Sequence, residues 1–216
     1  METSRESSKA IKQRILDVSF RLFKEHGYDK TTFNMIADGA GISPGLITYH
    51  FKNKHNIIYE AFLSYCLQIL NDTRENLTEG YNSYLYYCIC HLYLLQVMVE
   101  NEHNRKLLYD NKNRFKFLMS KIKFLVDEMY QIITTDFHKN FTDEEVYMAS
   151  IMDMGAREWL YDELVKSDSK LTFEKFGYYH LYLIGEFSKL DEATIQYNIK
   201  KAYEFVKTHT TPFFYD

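Results

Sequence analysis

The segment comprising residues 31–54 constrains the fold of this chain more than any other. It holds two groups of apolar residues separated by Gly41, which suits the left-handed backbone conformation at a helix C-terminus. Thr32 can cap a first helix. Ser43 followed by Pro44 is typical of the start of a second, where a missing proline N–H costs nothing. The pattern therefore predicts a short helix held across another, the arrangement that places side chains in the major groove of DNA.

An ordered set of residues extends this pattern in both directions. In chain order it comprises Ile11, Ile15, Leu16, Val18, Ser19, Phe20, Leu22, Phe23, His26-Gly27-Tyr28, Thr31-Thr32, Ile36-Ala37, Ala40-Gly41-Ile42-Ser43, Gly45, His50-Phe51 and Lys54. Over about residues 10–60 this order resembles the N-terminal domain of the tetracycline-repressor (TetR) family of bacterial regulators. One position departs from the family, which usually has a tyrosine where this chain has Thr48. A phosphate contact there would fall to Thr48 or to the adjacent Tyr49.

The resemblance implies a helix-turn-helix over about residues 32–51 that contacts phosphates and bases of double-stranded DNA. The DNA-contacting candidates are Thr32, Asn34, Ser43, Pro44, Gly45, Leu46, Thr48, Tyr49, His50 and Lys54. Lys54 opens the following helix, whose N-terminal dipole would add to its attraction for a phosphate.

The rest of the chain is predicted to be helical. Residues 84–99 are apolar almost all round, which favours a central buried helix, since the run is too short for the ~20 residues of a membrane span. Thr142 with Glu145 forms a capping box, and Asp191 caps a last helix. We expect an all-α chain of about nine or ten helices. Its expected parts are an arm (1–9), a three-helix head (10–55) and a helical body (56–216).

Tyrosine and phenylalanine are abundant, with 19 and 16 copies, many of them in the presumed central helices. They are either ordinary core residues or, as the resemblance implies, the lining of a pocket for a small effector of unknown identity. The candidate pocket residues are Tyr86, Tyr93, Phe117, Tyr130, Arg157 and Trp159.

Three further features of the body have two interpretations each. Arg157 follows Asp153 by four residues, which favours an exposed ion pair over an anchor for an acidic ligand. His91 on an apolar helix is more typical of a core histidine with satisfied hydrogen bonds than of a metal or haem ligand. The odd set of Cys66, Cys88 and Cys90 favours buried free thiols over metal binding or redox sensing.

Glycines inside helical patterns indicate the expected subunit interface. Each costs about 1 kcal/mol relative to alanine, a cost that close helix–helix approach would offset. The resemblance implies dimerisation through C-terminal helices, and the interface candidates are Gly155, Gly177, Tyr178, Leu181 and Gly185. The alternative is the terminal helix that begins after Asp191.

The distribution of charge and the motifs of the chain restrict the functions that it can have. Residues 1–60 carry 9 basic and 7 acidic side chains, and residues 61–216 carry 17 and 23, so a mildly basic head precedes an acidic body. No catalytic, cofactor or metal motif is recognisable, nor is an apolar signal segment, so we expect a cytoplasmic protein that is not an enzyme. The expected function is a homodimeric repressor released from a palindromic operator by an effector. The alternative is an activator or co-regulator that acts through a protein partner with the same head.

Overall fold

The computed structural model describes residues 7–77, 80–99, 120–164, 166 and 168–209, and the regular structure in them is entirely α-helical. These described residues form nine helices, which confirms the expected all-α class. The helices are α1 (Ser8–His26), α2 (Phe33–Ala40), α3 (Pro44–Phe51), α4 (Lys54–Asn76), α5 (Ser83–Val99), α6 (Lys123–Asp136), α7 (Asp143–Leu164), α8 (Phe173–Phe187) and α9 (Glu192–Thr208). The sequence also predicts a short helix near residues 104–110 and a long one from residue 112 to about 137; the short helix and the first part of the long one lie outside the described residues.

The chain divides into two compact units, one up to Tyr65 and one from Cys66. The division falls inside α4, whereas the sequence analysis places the boundary at residue 55. Below, the first unit is the head and the second is the body.

The core of the head is formed by α1, α2, α3 and the beginning of α4. Ile15, Ile36, Ile47 and Ile57, one from each helix, are fully buried, and Phe51 at the end of α3 is 1% exposed. A helix as short as α3 is marginal in isolation, so its position depends on these buried contacts.

The helix ends of the head follow the expected chemistry with one exception. Thr32 Oγ1 accepts a hydrogen bond from Met35 N at 3.2 Å, and Gly41 ends α2 in the left-handed conformation with φ of 63°. Ser43 is the N-cap of α3 and Pro44 is its first residue, but the Ser43 hydroxyl makes no capping hydrogen bond.

In the body, α5 is the central helix, packed against α6, α8 and α9. Cys88, Ile89 and Leu92 are fully buried, and the phenol of Tyr84 donates to Leu181 O at 2.6 Å. The predicted capping box is present at α7, where Glu145 accepts from Thr142 N at 2.8 Å. No helix among the described residues is long and apolar enough to cross a membrane.

Two glycines let α8 approach its neighbours in the body. A side chain at Gly185 would lie 2.5 Å from Ile195 Cγ1, and one at Gly177 would lie 2.8 Å from Leu92 Cδ2. Leu181 between them is fully buried. Their small size therefore serves packing within one chain. The subunit interface expected at Gly177, Leu181 and Gly185 would need surface that this chain already covers.

Candidate functional sites

The α3 helix presents one face to the core of the head and the opposite face outward. Ile47 and Phe51 lie four residues apart on the buried face. On the other face Gly45 and Thr48 are exposed, and Tyr49 has 77% of its surface exposed. The buried pair fixes the rotation of the helix about its axis, so it determines which side chains can reach a ligand of the head.

The ten predicted DNA-contacting residues divide by exposure. Those that are exposed are Thr32, Asn34, Ser43, Pro44, Gly45, Thr48 and Tyr49, and those that are partly buried are Leu46, His50 and Lys54. The His50 ring packs edge-on against the Tyr49 ring, with centroids 5.1 Å apart. The exposed members belong to the start of α2, the turn that follows it and α3.

Lys54 is engaged within the head. Its ammonium donates to Tyr28 O at 2.6 Å and Thr31 O at 2.7 Å, and it lies over the Tyr28 ring at 4.3 Å. These carbonyls belong to the loop between α1 and α2, whose position the lysine therefore fixes. The geometry supports a positioning role for Lys54 in addition to the predicted phosphate contact.

Lys52 is a candidate that the sequence reasoning missed. It directly follows α3, is exposed, and has the left-handed φ of 59°, which is uncommon for a residue with a side chain. Asn53 Oδ1 accepts from Asn56 N at 2.9 Å in the first turn of α4. The positive charge of Lys52 therefore lies close in sequence to the N-terminus of α4, and both attract phosphate. Its charge was visible in the sequence, but the backbone turn that exposes it was not.

The body contains a cavity of about 150 Å³ among α4, α5, α6 and α7. Most of its wall is aliphatic or aromatic, with thiols and a few polar side chains. The lining residues are Cys66, Ile69, Leu70, Arg74, Tyr86, Tyr87, Cys90, His91, Leu94, Ile122, Leu125, Val126, Glu128, Met129, Ile132 and Arg157.

Behind one wall of this cavity a chain of hydrogen bonds joins five polar side chains, called the buried relay below. The Arg157 Nη2 donates to Tyr87 Oη at 2.8 Å and to Asp153 Oδ2 at 3.3 Å. The other Asp153 oxygen lies 2.5 Å from His180 Nε2, and His180 Nδ1 lies 2.9 Å from His91 Nε2. Tyr87, His91 and Arg157 line the cavity, whereas Asp153 and His180 are fully buried.

The charges of the buried relay follow from its surroundings. Burial alone raises the pKa of Asp153, but the Arg157 guanidinium and His180 outweigh it, so the net pKa is lowered. Burial lowers the pKa of both His180 and His91, and for His91 it lies well below 6.5. At neutral pH the relay therefore holds one carboxylate, one guanidinium and two neutral imidazoles, with a net charge of zero.

The predicted pocket residues have different places in the structure. Tyr86 and Arg157 line the cavity. Tyr130 is buried beside the relay, and its hydroxyl has no hydrogen-bond partner in the described part of the chain. Tyr93 donates to His209 O at 3.1 Å. Trp159 is 78% exposed. Phe117 lies outside the described residues.

The relay corrects one expectation and extends another. The Asp153–Arg157 pair is not exposed, because Asp153 is fully buried and the Arg157 side chain is 14% exposed. His91 is a buried histidine with a hydrogen bond, as expected, and it also lines the cavity. Sequence reasoning missed Tyr87 and His180, since only the packing of α5 against α8 brings them to the pair on α7.

The three cysteines are free and buried, as expected. Cys66 and Cys90 line the cavity, and burial raises the pKa of each to about 12. Their thiols are therefore protonated at neutral pH and weakly nucleophilic. Within the described residues no group of three His, Cys, Asp or Glu side chains could hold a metal ion.

An apolar stripe lies exposed along α7. It comprises Tyr147, Met148, Ile151, Met152 and Trp159, each between 41% and 78% exposed. Gly155 lies within the stripe, and a side chain there would meet open space. Exposed apolar stripes of this kind mark interaction surfaces. Of the other predicted interface residues, Tyr178 on α8 is half-buried and accepts from Gln196 Nε2 at 2.7 Å.

The head is similar to one known family of proteins. Residues 15–61 match the family described as bacterial regulatory proteins, tetR family. An HTH-type transcriptional regulator of Staphylococcus aureus (strain USA300) is 27% identical over 140 residues, which are 61% of this chain and 72% of the relative.

Two solved structures share the fold. RolR in complex with its ligand resorcinol superposes with a TM-score of 0.64 at 12% identity, over 90% of this chain and 95% of RolR. A putative TetR-family transcriptional regulator from Mesorhizobium loti has a TM-score of 0.50 at 20% identity, over 85% of this chain and 97% of its own.

Proposed function

We propose that this chain, a member of the tetR family of DNA-binding transcriptional regulators, is a homodimer that leaves a palindromic operator when a small molecule fills the cavity of its body. The observation that carries the proposal is the outward face of α3, held by Ile47 and Phe51 and bearing Gly45, Thr48 and Tyr49. Its relatives and structural neighbours are regulators rather than enzymes. We place its action in the bacterial cytoplasm, where the operator would be.

The contacts to DNA follow from the chemistry of this face. Tyr49 and Thr48 supply hydroxyls for phosphates, Lys52 adds a charge, and exposed Gly45 permits close approach of the backbone. Leu46, partly buried, can contact a thymine methyl. The first half of α3 offers few hydrogen-bond donors, so sequence specificity rests partly on the shape of the DNA.

The second subunit binds the apolar stripe of α7. Regulators of this family form dimers, and the stripe is the longest run of exposed apolar residues on one described helix. Gly155 in the stripe allows two helices to cross closely. A palindromic operator mirrors the twofold symmetry of such a dimer, with one α3 in each half-site.

Ligand and DNA are coupled through α4. This continuous helix begins with Lys54, which holds a loop of the head, and ends with residues that line the cavity, among them Ile69 and Arg74. A ligand releases the dimer from the operator if it binds more tightly to the conformation in which the two heads are wrongly spaced for DNA. To change the ratio of the DNA-binding conformation to the other conformation from 99:1 to 1:99, the ligand must favour the second by about 5.5 kcal/mol.

Repression is the simplest consequence of a regulator that leaves DNA on binding an effector. The rival is activation through a protein partner, which would use the same head. Footprinting relative to the promoter separates them, because a repressor overlaps the polymerase site.

The test of the proposal is selection of bound sequences from random duplex DNA by the full-length protein. We expect a palindromic consensus and, if each head neutralises ~4 phosphates, a slope of log affinity against log salt of about −7. Tyr49→Ala should abolish the enrichment, whereas Tyr197→Ala, an exposed tyrosine of the body, should preserve it. No enrichment by a confirmed soluble dimer in low salt would refute the proposal.

A further inference from the structure

The buried relay has hydrogen-bonding capacity that the described residues do not use. An ionised Asp153 can only accept, so His180 must carry its proton on Nε2 and leave Nδ1 as an acceptor. His91 must then donate from Nε2 to that nitrogen, which leaves His91 Nδ1 as a lone pair. The carboxylate thus determines the tautomer of both rings.

A hydrogen-bond donor lines the same cavity as this acceptor. Tyr87 Oη accepts from Arg157, so its own hydrogen remains, and it donates no hydrogen bond to any described residue. The Tyr87 and His91 rings are one helical turn apart on α5, nearly parallel, with centroids 6.1 Å apart. Both residues line the cavity.

A hydroxyl group matches this pair, because it can donate to His91 and accept from Tyr87 at once. A carboxylate can only accept, and an ammonium can only donate. Either would also leave an unbalanced charge beside a relay whose own charges cancel, and an unpaired buried charge is costly.

The rest of the cavity sets the shape of the ligand. Aliphatic side chains from α4 and α6, such as Ile69, Val126 and Met129, cover most of the wall. A cavity of about 150 Å³ lined by apolar side chains is the size that holds a benzene ring.

From these observations we propose that the effector is an uncharged, single-ring compound with a hydroxyl group, held by Tyr87 and His91 and surrounded by aliphatic side chains. This inference rests on the proposed function, whose effector site it specifies. It also replaces the acidic ligand considered for Arg157, because Asp153 already neutralises that guanidinium.

The test compares four compounds that share one ring: phenol, toluene, benzoate and benzylamine. Calorimetry at pH 7.5 should show phenol binding about tenfold tighter than toluene, as expected for two net hydrogen bonds. Benzoate and benzylamine, both charged at this pH, should bind more weakly than toluene. Equal affinity for phenol and toluene, or tighter binding of either charged compound, would overturn the inference.

Matched variants locate the binding. Tyr87→Phe keeps the ring and removes the donor, so the preference for phenol over toluene should fall roughly 3- to 10-fold. Tyr93→Phe is the control, since Tyr93 is on the same helix but bonds His209 O outside the lining. Phenol should also slow alkylation of Cys66 and Cys90, with Cys88, outside the lining, as the internal reference. Binding without this protection would place the ligand elsewhere and overturn the inference.

A parallel titration against the selected operator keeps the two proposals separable. If phenol shows the expected selectivity but leaves operator affinity unchanged, the assignment of the site stands and the release mechanism fails. If benzoate or benzylamine releases the operator and phenol does not, the release mechanism stands and this inference fails.

Discussion

At the scale of single residues, two lysines near the end of α3 have different roles. Lys54 donates to carbonyls of Tyr28 and Thr31, whereas Lys52 is exposed. Lys54→Met leaves these partly buried carbonyls without a donor and should lower the free energy of unfolding by about 1–3 kcal/mol. Lys52→Gln should change it by less than about 0.5 kcal/mol but reduce the magnitude of the salt slope of DNA binding by about one per head. Urea denaturation and anisotropy titrations in salt measure the two effects. Equal stability of the two variants would contradict the positioning role.

Two buried histidines make stability depend on pH. Since burial holds the pKa of His91 and His180 below the 6.5 of an unfolded histidine, the unfolded chain binds more protons below pH 6.5. Stability should be constant just above that pH and fall below it, by at most about 2.7 kcal/mol per pH unit for two histidines. Urea melts at pH 7.5 and 5.5 measure the loss.

Two variants test this assignment. His91→Gln retains a donor toward His180 and should remove about half of the pH dependence. His138→Asn, at an exposed position, should leave it intact. A loss of stability that is the same in all three proteins would show that other groups cause it.

At the scale of the helices, three glycines respond differently to one added methyl group. Gly185→Ala would place a carbon against Ile195 and Tyr84 where α8 meets α9 and α5, and should cost about 1–3 kcal/mol. Gly155→Ala in α7 meets open space, so in a monomer it should stabilise by up to about 1 kcal/mol through helix propensity. In a dimer packed on the stripe, the same methyl group should weaken association. Chemical denaturation at several protein concentrations separates the effect on the stability of the monomer from the effect on dimer association.

The helices show how far sequence reasoning extends. Thr32, Gly41, Thr142 and Asp191 mark helix ends through local chemistry, so the helices they bound were predictable. The role of Gly185 was not, because it depends on which helix packs against α8. The relay was hidden for the same reason, since His91 and His180 are 89 residues apart in sequence. The pairs Tyr87 with His91 and Asp153 with Arg157 are local, but the burial of Asp153 and Arg157 could not be read from their spacing.

At the scale of the whole molecule, exposure and charge distinguish two surfaces for self-association. One is the stripe of α7, and the other is α9, where Tyr197 is 60% exposed. The stripe joins several apolar side chains, as the core of a subunit interface requires, whereas Tyr197 lies between Gln196 and Asn198, with Lys200 and Lys201 one turn further along its helix.

The final prediction compares the same change on both surfaces. Ile151→Glu places a charge inside the stripe, so its burial against a second subunit would be costly, and we expect a monomer with intact helical content. Tyr197→Glu should remain dimeric. Sedimentation equilibrium measures the assembly, and anisotropy with full and half operators measures the consequence for DNA. The Ile151→Glu monomer should lose the preference for the full palindrome, because two linked heads bind with an effective concentration that one head lacks. A dimeric Ile151→Glu together with a monomeric Tyr197→Glu would instead assign the interface to α9.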